Sequence, residues 1–156
     1  MALHYLADIH HVIPTLANWF YQQWPALFQD EADAIRDLEQ GTYRDRIPLH
    51  LVEIENDKIL GTAAILENDM EEVYPYDSPW LACVYVPKNY RGQGIGKKMV
   101  QAAINEARRL SFKKLYLWTD QAKTFYEAMG WKPIQETIYK TYPVTVMSIH
   151  LTPSSS

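Results

Sequence analysis

From Trp80 to Val86 the chain reads WLACVYV, an unbroken apolar run that Pro87 ends. Such a run marks a central strand covered on both faces, so the fold must place helices on either side of it. Directly after it comes YRGQGIGKKM, Tyr90–Met99, with three glycines and three basic residues. Beyond that, Ile95, Met99, Ala103, Ala107 and Leu110 recur every three or four positions, the spacing of an amphipathic helix. Buried strand, glycine turn and long helix form the unit around which the rest is read.

Upstream, LHLVEIE, then Asn56-Asp57, then KILGTAAILE predicts a strand, a tight turn and an antiparallel return strand. The acidic segment ENDMEEVYPYDSP, broken by two prolines, reads as a loop. The first eight residues read as an edge strand. Asp8 is positioned to cap a helix reaching about Gln23, with Trp19 and Phe20 inward; Pro14 predicts a kink or a later start. A second helix is expected from Glu31 to Gln40, between Asp30 as N-cap and Gly41 as stop.

Downstream, KKLYLW is a strand and DQAKTFYEAM a helix stopped by Gly130. WKPIQETIY and PVTVMSIHL are two more strands, joined near Tyr142-Pro143. The expectation is one α/β (α+β) domain over residues 1–151, with a mixed, mostly antiparallel sheet, and a flexible tail over 152–156 ending in Ser154–Ser156.

A net charge of -4 argues against nucleic-acid binding through a whole-surface field, while leaving room for one local basic site. The single cysteine, Cys83, excludes an internal disulfide framework and a multi-cysteine zinc site. No charged-then-apolar leader is evident and no apolar run approaches ~20 residues, so the expectation is a soluble cytoplasmic protein without a membrane partner. Aromatics make up 13% of the chain, enough that some are expected to line a ligand pocket.

The glycine loop fails two phosphate-binding patterns on spacing. A G-x-x-x-x-G-K-[ST] loop around Gly96-Lys97 needs a glycine where Arg91 stands and a hydroxyl where Lys98 stands. A G-x-G-x-x-G turn beginning at Gly92 and Gly94 meets Lys97 in place of its third glycine. What remains is Arg91-x-x-Gly94-x-Gly96 between a buried strand and a helix. Glycines there allow a tight turn and close approach of N–H groups, and the helix start supplies unpaired donors and the positive end of its dipole. A pyrophosphate suits such a place. A plain strand-to-helix turn is the other reading of the same residues.

Two segments together carry a resemblance. VYVPKNYRGQGIGKKMV, Val84–Val100, is similar to the strand–loop–helix of the GNAT superfamily of acetyl-CoA-dependent N-acetyltransferases, with its R/Q-x-x-G-x-G/A core. AKTFYEAMGW, Ala122–Trp131, resembles that family's A-x-x-F-Y-x-x-x-G-F/W segment. The order of elements agrees from Leu49 to Leu151, whereas the first 48 residues match only as generic helices.

The resemblance implies a GNAT-like sheet of about six to seven strands flanked by about four helices, with a V-shaped opening between splayed strands Trp80–Val86 and Lys114–Trp118. Acetyl-CoA would be the acyl donor, its pantetheine pairing with Val84, Tyr85 and Val86. Its pyrophosphate would rest on the amides of Gly92, Gln93, Gly94, Ile95, Gly96 and Lys97, with charge from Arg91 and Lys97. Thr119, Lys123 and Phe125 fall among the implied cofactor contacts; Thr119 stands where many relatives have Asn, and Asp120 is free to cap the following helix. The implied proton donor to the departing thiolate is Tyr126. The segment holding Trp19, Tyr21, Trp24 and Phe28 caps the acceptor side, where Trp24 and Phe28 are the aromatic candidates. Family members are often dimers, which leaves a homodimer open.

The implied reaction is direct attack of a primary amine, of a small molecule or peptide, in a ternary complex. It needs a neutral amine, and some relatives carry a glutamate base on the central strand; Trp80-Leu81-Ala82-Cys83 has none. The bases then come from the preceding loop, Asp69, Glu71, Glu72 or Asp77, and that acidic cluster would also attract a cationic acceptor. Glu72 and Asp77 are the acidic substrate-side candidates. The oxyanion donor is expected to be a backbone N–H near Val84. Cys83 reads as inert core, and His4, His10, His11, His50 and His150 show no ligand spacing, so no metal is expected. A noncatalytic acyl-CoA-binding module of the same fold is the alternative.

Overall fold

A computed structural model describes residues 2–70 and 77–151. Glu71, Glu72 and Ser154–Ser156 lie outside the described residues. Seven strands form one sheet: β1 (Ala2–Tyr5), β2 (Leu49–Glu55), β3 (Lys58–Leu66), β4 (Trp80–Tyr85), β5 (Lys114–Thr119), β6 (Lys132–Tyr139) and β7 (Tyr142–His150), in the order β1-β2-β3-β4-β5-β7-β6. Every neighbouring pair is antiparallel except β4 and β5. Among the described residues four α-helices accompany the sheet: α1 (Ile13–Gln23), α2 (Glu31–Glu39), α3 (Ile95–Arg109) and α4 (Lys123–Ala128). None of the described helices is long and apolar enough to cross a membrane.

Local chemistry accounts for most boundaries. Asn56 and Asp57 both take left-handed backbone (φ 51 and 64), the conformation of a two-residue hairpin turn, and join β2 directly to β3. Asp30 caps α2 by accepting the Asp33 N–H at 2.8 Å. Pro14 sits in the first turn of α1, where its missing N–H would be unbonded anyway, so the helix starts late instead of kinking. The residues between β1 and α1 form two 3-10 turns, and Asp8, expected as a cap, instead pairs with Arg44.

The last hairpin turns two residues earlier than expected. Lys140 and Thr141 are both left-handed (φ 45 and 77), and Tyr139 pairs with Tyr142. Pro143 is tolerated inside β7 because β5 reaches only to Thr145, leaving β6 as the sole strand neighbour there.

Adjacent strand residues face opposite sides. On one side Leu51 joins Met99, Ala103 and Ala107 of α3 and Tyr126 of α4; on the other Val52 joins Leu16 and Phe20 of α1 and Leu38 of α2. A third cluster packs Met70, Trp80, Tyr139 and Val146 under the β5–β7–β6 half.

Two irregularities position the site. The β4–β5 pair is registered at Trp80↔Tyr116 alone, with the Tyr116 N–H donating to the Pro79 carbonyl at 3.0 Å, so the strands part beyond that point. Strand β4 also bulges against β3: Thr62 pairs with Tyr85 but Ala64 with Ala82, and Cys83 takes φ 54.

Candidate active site

The turn after β4 is set by Gly92 (φ 79) and Gly94 (φ 82), conformations a side-chain-bearing residue resists. Gly94 is the N-cap of α3 and supplies no side-chain cap, so no side chain covers the donors of the first turn there. Gly96 has ordinary helical backbone, and a Cβ there would lie 3.7 Å from Val86 Cγ2 and 3.9 Å from Phe125 Cζ. The protein itself has room for a methyl at this position. The space it would fill lies between the end of β4, α3 and α4.

Around this turn, Gln93 and Lys97 are exposed, whereas the Ile95 side chain is buried and leaves only its backbone for a ligand. Arg91 does not simply reach outward. Its Nε donates to the Val86 carbonyl at 2.8 Å and its guanidinium lies 5.8 Å from the Tyr85 ring centroid, which staples the loop to the strand end. Beyond the bulge the side chains alternate: Val84 and Val86 pack on the α3 side, Tyr85 on the α1 side, 5.6 Å from the Trp19 ring.

Where β4 and β5 part, a cavity of about 540 Å³ crosses the sheet. Val84, Ala122 and Tyr126 line it toward α4; Phe20, Trp24 and Phe28 line it toward α1. Tyr126 is 7% exposed and packs edge-on against Trp131 at 5.9 Å. Burial pushes its phenol well above the ordinary range, so the hydroxyl keeps its proton at neutral pH. Thr119 also lines the cavity, and its Oγ1 accepts the Ala122 N–H at 2.9 Å. Thr119 therefore closes the turn before α4, a role expected of Asp120. Lys123 Nζ lies 3.7 Å from Glu136, and Phe125 stays partly exposed beside Gly96.

The acidic wall differs from expectation. Asp77 does not line the cavity: its carbonyl accepts Trp80 Nε1 at 2.7 Å at the closed end of the β4–β5 gap. Glu72 lies outside the described residues. Asp69 is the loop carboxylate that lines the space. Burial pushes its pKa up to about 7; the charge of Asp37 adds to the rise, and the Trp118 indole N–H, which does not reach hydrogen-bond geometry, partly offsets it. Cys83 lines the same space and its thiol is pushed well above its usual value, first by burial and then by Asp69 and Asp37. It is a thiol here and no nucleophile.

Two lining residues carry no local signal in the sequence. Asp37, on α2, is exposed like any helix-surface aspartate and lies one turn from Asp33; partial desolvation, then the Asp33 charge, raises its pKa. His50, on β2, is 5% exposed and burial lowers its pKa to about 4, so the imidazole is neutral.

Residues 13–131 match the acetyltransferase (GNAT) family, and the chain belongs to it. It is 28% identical over 111 residues to an amino-acid acetyltransferase of Yersinia enterocolitica, a match covering 66% of this chain and 24% of that protein. The match thus spans about a quarter of that relative's length. Among solved structures, an aminoglycoside 6'-N-acetyltransferase complexed with coenzyme A shares the fold at a TM-score of 0.73 and 16% identity, with both chains fully covered. The Salmonella typhimurium acetyltransferase yncA, solved with acetyl-CoA, aligns at a TM-score of 0.72 and 17% identity over 100% of this chain and 96% of that one. The mixed sheet and its flanking helices are those of this fold.

Proposed function

We propose that the chain is an acetyl-CoA-dependent N-acetyltransferase that passes the acetyl group to a primary amine by direct attack in a ternary complex. The observation that carries this reading is the path of the cavity, which joins a buried phenol on one face of the sheet to a carboxylate wall on the other through the β4–β5 gap.

Each part of the site has a task. The amides from Gly92 to Lys97, with the α3 dipole and the Lys97 charge, hold the pyrophosphate. Gly96 admits the carrier closely. The β4 edge from Val84 to Val86, free of β5, pairs with the pantetheine amides as an added strand would. The Thr119 oxygen already accepts an N–H, which leaves its hydroxyl proton to donate.

Tyr126 holds and delivers a proton to the departing sulfur. A raised phenol pKa alone would make it a reluctant acid. Burial raises the Cys83 thiol in the same cavity too, which supports a matching rise in the departing sulfur's demand for a proton. Asp69, close enough to Cys83 to raise its pKa, takes the proton from the attacking amine. Without a base, presenting a lysine-like amine neutral at pH 7 costs roughly 4–5 kcal/mol. A carboxylate poised near 7 is matched to that task.

The test is acetyl-CoA turnover across an amine panel, read as thiol release, beside calorimetry with CoA. Acceptor-dependent release is expected. No heat from CoA at millimolar concentration overturns the reading, and binding without acceptor-dependent release would make the chain an acyl-CoA-binding module.

A further inference from the structure

The cavity wall is unbalanced in charge. Among the described residues lining it, Asp37, Glu67, Asp69 and Asp120 are acidic, while Lys140 is the one cationic side chain and no arginine contributes. None of the four acids forms an ion pair with a described residue. The wall also contains Trp24, Phe28 and Trp118, aromatic faces that attract a cation.

A second, independent feature is His50. Its imidazole is more than nine-tenths buried, lines the cavity, and has no hydrogen-bond partner among the described residues. It is locked in place: a Cβ on Gly41 would fall 2.3 Å from its Cδ2. A neutral imidazole offers a lone pair to an N–H donor and no charge to a carboxylate.

Resting on the acetyltransferase reading, we propose that the acceptor is an amine with a second cationic centre, of the aliphatic diamine or polyamine class. One amine is acetylated at the β4–β5 gap. The distal ammonium is received by Asp37 and His50 against Trp24 and Phe28. An α-amino acid is a poor fit, because its carboxylate would enter a space lined by four acids and no arginine.

The test uses the full chain with acetyl-CoA and three acceptors: cadaverine, pentylamine and leucine. Cadaverine is expected to exceed pentylamine by about tenfold or more in kcat/KM, the worth of one charge-assisted contact, with leucine below both. In Asp37→Asn the cadaverine-to-pentylamine ratio is expected to fall by about tenfold, a ratio that does not depend on the fraction of folded enzyme. A wild-type ratio near one, leucine as the best acceptor, or a ratio unmoved in Asp37→Asn overturns the inference while leaving the acetyltransferase reading intact. Failure to bind CoA overturns both.

Discussion

Lys98 Nζ lies 2.6 Å from Glu53 Oε1, joining the start of α3 to the middle of β2, and the Glu53 side chain is fully buried while Lys98 is about half exposed. The second oxygen, Oε2, finds no hydrogen-bond partner among the described residues. The lysine next to Lys97 in the sequence is thus committed to the fold, whereas Lys97 itself stays exposed. Lys98→Met leaves the carboxylate uncompensated and is expected to destabilise by about 2–4 kcal/mol. Adding Glu53→Gln should recover most of that loss. Urea denaturation of the wild type and both variants measures it; a Lys98→Met variant as stable as the wild type would show that the pair contributes nothing.

Tyr126→Phe keeps the ring that packs on Trp131 and removes only the hydroxyl. Turnover is expected to fall by about 10²-fold or more with little change in acetyl-CoA affinity or melting temperature. Undiminished thiol release from this variant would eliminate Tyr126 as the acid.

Asp69 must be ionised to accept a proton, and its pKa stands at about 7 because of burial. The rate should therefore rise as pH climbs through 7, and Asp69→Asn should abolish that limb of the profile as well as lowering kcat. The effect on stability has the opposite sign. The folded protein holds this proton at pH values where the unfolded chain, with a carboxyl near its ordinary value of 3.8, has lost it. Asp69 consequently destabilises the fold progressively as pH rises from about 4 to 7. Above that window Asp69→Asn should melt at a higher temperature than the wild type; an acidic limb that persists in the variant would place the base elsewhere.

Two glycines of one loop should separate binding from folding. Gly94→Ala forces a side chain into left-handed backbone and is expected to cost about 1–2 kcal/mol. Gly96→Ala has helical backbone and meets Val86 and Phe125 only at ordinary van der Waals distance, so it should hold or gain about 0.5–1 kcal/mol of stability while weakening CoA binding. Thermal melts beside CoA calorimetry read both; an unchanged CoA affinity in Gly96→Ala would mean that no carrier passes that point.

What could be read in advance was whatever local chemistry decides. Asn56-Asp57 announces its own turn, Asp30 its own cap, and the run from Trp80 its place in the middle of the sheet. The segments Val84–Val100 and Ala122–Trp131 announce the family, because a glycine turn and a Phe-Tyr helix must keep their spacing to work together. What could not be read depends on chain-distant neighbours. Asp37 and His50 meet Asp69 only after α2, β2 and the acidic loop have converged on one cavity. Asp77 was as good a candidate base as Asp69 by composition, and only the direction in which β4 and β5 diverge separates them. The bulge at Cys83 left no trace either, since cysteine is no signal for left-handed backbone.

The single Trp80↔Tyr116 pairing gives the sheet a seam. Strands β1 to β4 make one plate and β5, β7 and β6 another, riveted at one end and open at the other. A molecule bonded along the free edge of β4 would work like a bolt through that seam. Amide hydrogen exchange along β4 and β5 should slow when the site fills, while the outer strands change little.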